Sequence, residues 1–181
     1  VLFPTNPGGL APEEITIAER LKELGYQTAC IGKWHLGHKE GYLPVSQGFD
    51  SYFGVPYSTD MTIDPALKLS ENIVLRKGMT KEMILNINAL EIENKNHMTP
   101  LMENDEVVEF PADQATLTKR YTEKAMDFIR GNKDHPFFLY LPYTMPHIPL
   151  FTSEDFQDVS LRGIYGDVVE EIDWSVGQIL N

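Results

Sequence analysis

The sequence predicts an α/β fold with a mostly parallel sheet, and three observations carry that prediction. Amphipathic helical patterns at residues 16–24 and 116–130 each precede a short apolar run, at 26–31 and 137–141. Each run is followed by a polar loop, as in an alternating αβ chain whose helices cover a sheet. A third helical pattern, at 161–180, closes the chain.

Taken in order, residues 16–24 read as a short helix because Ile17, Leu21 and Leu24 recur at helical spacing, with Gly25 placed to end it. Residues 26–31 read as a buried strand, and Gly32 opens a loop that carries Lys33, Trp34, His35 and His38. Residues 41–60 are aromatic and punctuated by Gly and Pro, which reads as loop. Residues 61–99 are Asn-rich with no clear period and read as a variable insertion with some helix near 81–91. Residues 101–108 suggest a hairpin turning at Asn104 and Asp105. The helix at 116–130 presents Leu117, Tyr121, Ala125, Phe128 and Ile129 on one face. The strand at 137–141 follows Pro136 and leads into a loop holding His147 between Pro146 and Pro149. The last helix carries a stripe of Leu161, Ile164, Tyr165, Val168, Val169, Ile172, Val176 and Ile179. No internal repeat is visible.

With 181 residues, 42% hydrophobic and 23% charged, the chain suits one globular domain. No apolar run is long enough for a membrane-spanning helix. The extended first residues and a last helical pattern with no stop signal read as an interior piece of a longer chain. The net charge of −12 argues against nucleic acid as a partner, and any site for an anion must be built locally. Cys30 is the single cysteine, so no internal disulfide or cysteine zinc cluster can form; its apolar neighbours mark it as buried and inert.

In parallel sheets, ligands lie beyond the carboxyl ends of the strands. Two loops leave strands there, one with Lys33 and His35, the other with His147. Lysine brings a compact charge with three donors, and histidine exchanges protons near neutrality. Together they make a candidate anion site, although a solvated loop would account for Lys33 and His35, and a strand-end cap for His147. Asp50 and Asp60, in the aromatic loop, read as acceptors for backbone amides or as neighbours of a basic site. His97 and His135 read as surface residues, and the spacing of His38 from His35 makes no metal site alone. Asp167, Glu170, Glu171 and Asp173 read as a solvated helix face.

Residues 16–37, with the core Gly32-Lys33-Trp34-His35-Leu36-Gly37, resemble the second signature region of type I sulfatases. Residues 48–58, 136–149 and 165–177 resemble further segments of that family in the same order, nearest to the arylsulfatase A and N-acetylgalactosamine-6-sulfatase branch. The resemblance covers the chain apart from roughly residues 61–99 and implies part of an alkaline-phosphatase-like α/β catalytic domain. It implies a sulfuric ester hydrolase that acts on a sulfated small molecule or glycan through a formylglycine nucleophile and a calcium ion. By position, Lys33 would bridge nucleophile and sulfate, and His35 would hydrogen-bond the formylglycine hydroxyl and act as base in sulfate elimination. His147 would bind sulfate and protonate the leaving oxygen, and Ser58 would line the substrate pocket. The Cys/Ser-x-Pro/Ala-x-Arg motif that yields formylglycine is absent from these residues, as are the expected calcium ligands. Both are expected elsewhere in the parent, with a formylglycine-generating enzyme as its partner and an exported compartment as its location. A phosphodiesterase or phosphonate hydrolase of the same superfamily, or an inactive protein that binds sulfated glycans, would be the alternatives.

Overall fold

A computed structural model describes residues 6–181; the extended opening read at residues 1–5 lies outside the described residues. The first helix, α1 (Ile17–Glu23), is fixed by its cap. The Glu19 amide donates to Thr16 Oγ1 (3.1 Å) and the Thr16 amide donates to Glu19 Oε2 (2.7 Å), satisfying two otherwise orphaned donors reciprocally. A helix of seven residues is too short to persist alone, so tertiary contacts hold it. Ala18 is buried in the core, and Thr16 Oγ1 donates to the Gln47 carbonyl (2.8 Å).

Strand β1 (Gln27–Ile31) lies between two parallel neighbours, β2 (Ser51–Gly54) and β6 (Phe137–Tyr140). Both of its faces are covered, which is why its apolar run does not alternate. Cys30 is fully buried there, and burial pushes its thiol up, out of reach of nucleophilic use at neutral pH. Past β2 come β4 (Leu101–Glu103), antiparallel, then β5 (Glu106–Phe110) and β3 (Lys68–Leu75). The order across the sheet is β3-β5-β4-β2-β1-β6, with β4 running against the other described strands. The β4–β5 hairpin turns at Asn104, in a left-handed conformation that asparagine tolerates.

Two strands differ from the sequence reading. β2 falls within the stretch read as aromatic loop, because four residues flanked by Gly and Pro are too few to show a period. β3 falls within residues 61–99; it lies at the sheet edge, only half covered, and so carries no strong apolar signal. The helix expected near 81–91 is a single turn, α2 (Lys81–Leu85), capped by Thr80 and followed by a 3₁₀ turn at Ile87–Ala89. β6, read as buried, is half-exposed at the other edge.

Side chains alternate across the sheet into two cores. Cys30 and Tyr52 point into one, with Ala18, Ile84 and Ile87 above them. Ile31 and Phe53 point into the other, against α3 (Leu117–Gly131), whose Leu117, Tyr121 and Ala125 form the expected inward face.

The last helix, α4 (Gly163–Leu180), corrects two expectations. It turns Asp167, Glu171 and Ser175 inward, one per turn, and leaves Ile164, Tyr165, Val169 and Val176 exposed. These two acids therefore do not form part of a solvated face. Asp167 accepts the amides of Asp158 (3.1 Å) and Ser160 (2.7 Å), and Glu171 accepts that of Ser153 (3.1 Å), so the helix anchors the loop before it. Ser175 joins a chain whose direction follows from its end. Thr122 Oγ1 donates to the Thr118 carbonyl (2.7 Å), so it accepts from Ser175 Oγ (2.5 Å), which in turn accepts from Tyr143 Oη (2.5 Å).

Glu109 on β5 is a further buried acid. Its two oxygens take Arg76 Nε and Arg120 Nη1, each at 2.7 Å, and Oε1 also accepts the Asp113 amide (2.8 Å). Burial opposes ionisation, but these donors outweigh it and hold the carboxyl below its ordinary value near 4.5. A depressed folded pKa contributes stability above the unfolded value and loses it as pH falls through the folded one. Glu109→Gln is expected to cost about 2 kcal/mol at neutral pH and to flatten the acid limb of stability below about pH 4.5. Urea midpoints of the full-length protein at both pH values check this; an unchanged acid limb would sink it.

Gly32 ends β1 with φ +130° in the tightest packing of the sheet. A Cβ there would overlap the Pro142 carbonyl, and one on Gly54 would overlap the Gly32 carbonyl. Gly32→Ala is therefore expected to destabilise by roughly 3 kcal/mol or more, read as a lost folded fraction in a thermal melt. A melt that matches wild type would refute the crossing as a constraint.

Candidate functional site

The close approach at Gly32 and Gly54 ties three strand ends together by backbone hydrogen bonds. Gly32 N donates to Phe53 O (2.9 Å), Val55 N to Gly32 O (3.1 Å) and Lys33 N to Pro142 O (2.7 Å). The ladder continues beyond the strands, with Trp34 N on Val55 O (3.0 Å) and His35 N on Pro56 O (3.3 Å). The loops that carry Lys33, His35, Ser58 and His147 thus leave adjacent strands at one end, where a parallel sheet presents its ligand crevice.

Trp34 does not stack in solvent. It is buried edge-on against Phe49 at 5.9 Å, and its Nε1 donates to Tyr42 O (2.8 Å), so it pins the loop and lifts its neighbours to the surface. His35 has φ +68°, a left-handed conformation that costs a non-glycine residue of order 1 kcal/mol or more and recurs where a side chain must be aimed. Its ring lies over Tyr57 at 4.5 Å with 31° between planes. Tyr57 meets His38 edge-on at 6.1 Å. His38 is buried, with Nε2 3.1 Å from Asp64 Oδ2, and Lys39 Nζ lies 3.6 Å from the same oxygen. An aromatic stack backed by a carboxylate therefore supports His35 from below. This also places His38, which belongs to the support beneath His35. Among the described residues, no group of three His, Cys, Asp or Glu is arranged to hold a metal ion.

His147 is exposed at the end of the other loop. Its Nδ1 lies 2.6 Å from the Ile148 carbonyl, which can only accept, so Nδ1 carries the proton in the neutral ring. Thr59 Oγ1, 3.5 Å from Nδ1, donates to the same carbonyl (3.4 Å). Nε2 is left as the ring nitrogen without a hydrogen in the neutral ring.

Asp60 couples the two loops. Burial opposes its ionisation, but Ser58, a backbone amide, His147 and Lys33 together hold its carboxyl below the ordinary range. Ser58 is buried, and its hydroxyl makes no hydrogen bond of ordinary geometry despite this neighbourhood. Lys33 is half-buried; loss of solvent lowers its pKa, and the Asp60 charge restores part of the loss. A half-desolvated ammonium suits an anion whose charge grows during reaction.

The sulfatase family model matches residues 2–181. The chain belongs to the sulfatase family. It is 34% identical to human steryl-sulfatase over 99% of its own length and 38% of that protein. It is 35% identical to rat N-acetylgalactosamine-6-sulfatase over 96% of its length and 30% of that protein. A crystal structure of Ps i-CgsB in complex with k-i-k-neocarrahexaose superposes with a TM-score of 0.69 at 26% identity, covering 98% of this chain and 38% of that one. The chain spans about a third of the length of the curated relatives it matches. Family and α/β fold are thus as the sequence resemblance implied.

Of the residues singled out from sequence, Lys33 and His147 share the field of Asp60, and His35 and Ser58 lie on the loops that flank them. Asp50 is a structural acceptor: its Oδ2 takes both the Thr28 amide and hydroxyl at 2.9 Å. The sequence reading does not reach Tyr57 and Asp64: Tyr57 adjoins Ser58 within residues 48–58, which resemble the family, whereas nothing local marks Asp64.

Asp60→Asn in the full-length protein is expected to lower the Lys33 pKa further. Labelling of Lys33 by trinitrobenzenesulfonate at neutral pH, followed by peptide mapping, should then quicken by a factor of about two to five. An unchanged rate would mean that Asp60 does not act on Lys33.

Proposed function

We propose that the full-length protein hydrolyses sulfate monoesters of aryl or carbohydrate alcohols, with Lys33, His35 and His147 in its active site. The observation that carries this reading is that backbone and hydroxyl bonds, His35 N to Pro56 O and Thr59 Oγ1 to Ile148 O, tie the loops of Lys33, Ser58 and His147 together beside the strained and stacked His35, in a chain of the sulfatase family. Sulfuryl transfer spreads negative charge over the sulfate oxygens, and a fixed, half-desolvated Lys33 ammonium opposes that charge. Protonated His147 gives a proton from Nε2 to the departing alkoxide, while the Ile148 carbonyl holds Nδ1–H and fixes the ring. His35, oriented by Tyr57, takes a proton at the nucleophile side. The Asp60 charge opposes loss of a proton from the half-buried Lys33. Ser58 lines the substrate pocket. Residues 61–99 form a variable part of the catalytic domain.

A formylglycine hydrate would supply the nucleophile and calcium would hold sulfate oxygens, as the family resemblance implies. The described residues fit neither: Cys30 is buried and stands outside the required motif, and no three ligands cluster. Both are assigned to the rest of the parent, as are export from the cytoplasm and modification by a formylglycine-generating enzyme.

The test is hydrolysis of 4-nitrophenyl sulfate by the full-length parent, co-produced with a formylglycine-generating enzyme. Lys33→Ala and His147→Ala are expected to lower kcat/KM by about 100-fold or more. His35→Asn, which tolerates the left-handed backbone, should keep the fold and lose a comparable factor. A folded parent bearing the aldehyde that cleaves phosphate or phosphonate esters but no sulfate ester would overturn the reading.

A further inference from the structure

The segment read as a variable insertion begins with an ordered turn. Met61 and Ile63 are buried, and Asp64 Oδ1 accepts the Ala66 amide (2.9 Å) across Pro65, so the carboxylate is aimed by its own backbone. Its other oxygen, Oδ2, meets His38 Nε2 (3.1 Å) and Lys39 Nζ (3.6 Å), on the loop that carries Lys33 and His35. A carboxylate only accepts, so His38 Nε2 donates. Burial opposes ionisation of Asp64, but the Ala66 amide, His38 and Lys39 outweigh it and hold the carboxyl below its ordinary value near 3.8.

What stands above this contact depends on it. His35 keeps its left-handed backbone at φ +68°, and its half-buried ring lies over Tyr57 at 4.5 Å. The Tyr57 hydroxyl is buried and makes no hydrogen bond of ordinary geometry. The phenol is therefore placed by packing and not by a polar tie, and the two imidazoles are its aromatic contacts: His35 stacked, His38 edge-on at 6.1 Å. His38 is itself buried, with Nδ1 unpartnered, so the bond from Nε2 to Asp64 is what orients its ring. Carboxylate, imidazole, phenol and imidazole form one row from the opening turn of residues 61–99 to the candidate base.

We propose that Asp64 is a positioning residue of the active site, holding His35 in its reacting orientation through His38 and Tyr57. The assignment rests on the sulfate-ester reading for the reaction affected, while the hold on His35 does not require turnover. A stretch with no period of its own thereby contributes to the site through its first turn.

The experiment uses the full-length protein, co-produced with a formylglycine-generating enzyme, and two substitutions. Asp64→Asn keeps an acceptor for the Ala66 amide and removes the charge. His38→Gln keeps a donor for Asp64 and removes the ring against Tyr57. Each is expected to lower kcat for 4-nitrophenyl sulfate about tenfold, with KM within about twofold of wild type. In a His35→Asn background, where no imidazole remains to be held, each should change kcat by less than about twofold. Carbethoxylation of His35 by diethyl pyrocarbonate, followed by peptide mapping, reads the ring without turnover. It should quicken about threefold in both variants, relative to the exposed His135. Thermal melts establish folding, and if Asp64→Asn fails to fold, His38→Gln carries the same comparison. Wild-type labelling of His35 in a folded variant overturns the positioning role, as does a loss of kcat that is equal in both backgrounds. Turnover of 4-nitrophenyl sulfate by the wild type in those cases leaves the hydrolase standing. Quickened labelling in a protein that cleaves no sulfate ester keeps the hold of Asp64 on His35 and overturns the hydrolase.

Discussion

The site depends on a single backbone crossing. Gly32 and Gly54 lack side chains where the ends of β1, β2 and β6 come within hydrogen-bond reach of one another. With Lys33 N on Pro142 O, the lysine loop is tied to the histidine loop at its root. Every later feature inherits that registration: the aim of Lys33, the strained turn at His35 and the approach of both loops to Asp60. A side chain at the crossing would separate charged groups that have no other direct tie, because their attraction through Asp60 is partly screened by water.

The electrostatics follow from the same economy. A chain with net charge −12 repels anions at long range. The site answers with a half-buried Lys33, whose charge the solvent-facing Asp60 carboxylate supports, and with His147 on the neighbouring loop. The buried acids elsewhere are engaged in structure: Glu109 between two arginines, Asp167 and Glu171 on loop amides.

Much of this was legible in the sequence, and the exceptions have physical causes. Helices α1 and α3 and strand β1 show because each buries a periodic or continuous apolar pattern, and α1 also carries its cap in Thr16 and Glu19. β2 and β3 do not show, since the first is too short for a period and the second lies half-covered at an edge. The inward face of α4 misleads because a polar chain through Ser175 and two loop-anchoring acids replace the apolar contacts that periodicity assumes. At the site, residue types and loop positions select Lys33, His35 and His147. The support beneath His35 is hidden, because the partnership of Tyr57 with His38 and Asp64 is a property of the folded chain alone.

The pairing of Ala29 with Leu139 joins segments roughly 110 residues apart, so closing that contact is among the most entropically demanding steps in this part of the chain. Until β6 docks, Lys33 and His147 belong to unrelated loops. A chain in which β6 has not docked leaves the Lys33 loop without the Pro142 carbonyl that anchors its root. Docking of β6 is the step that brings the Lys33 and His147 loops into register, so their proximity is a readout of that long-range pairing.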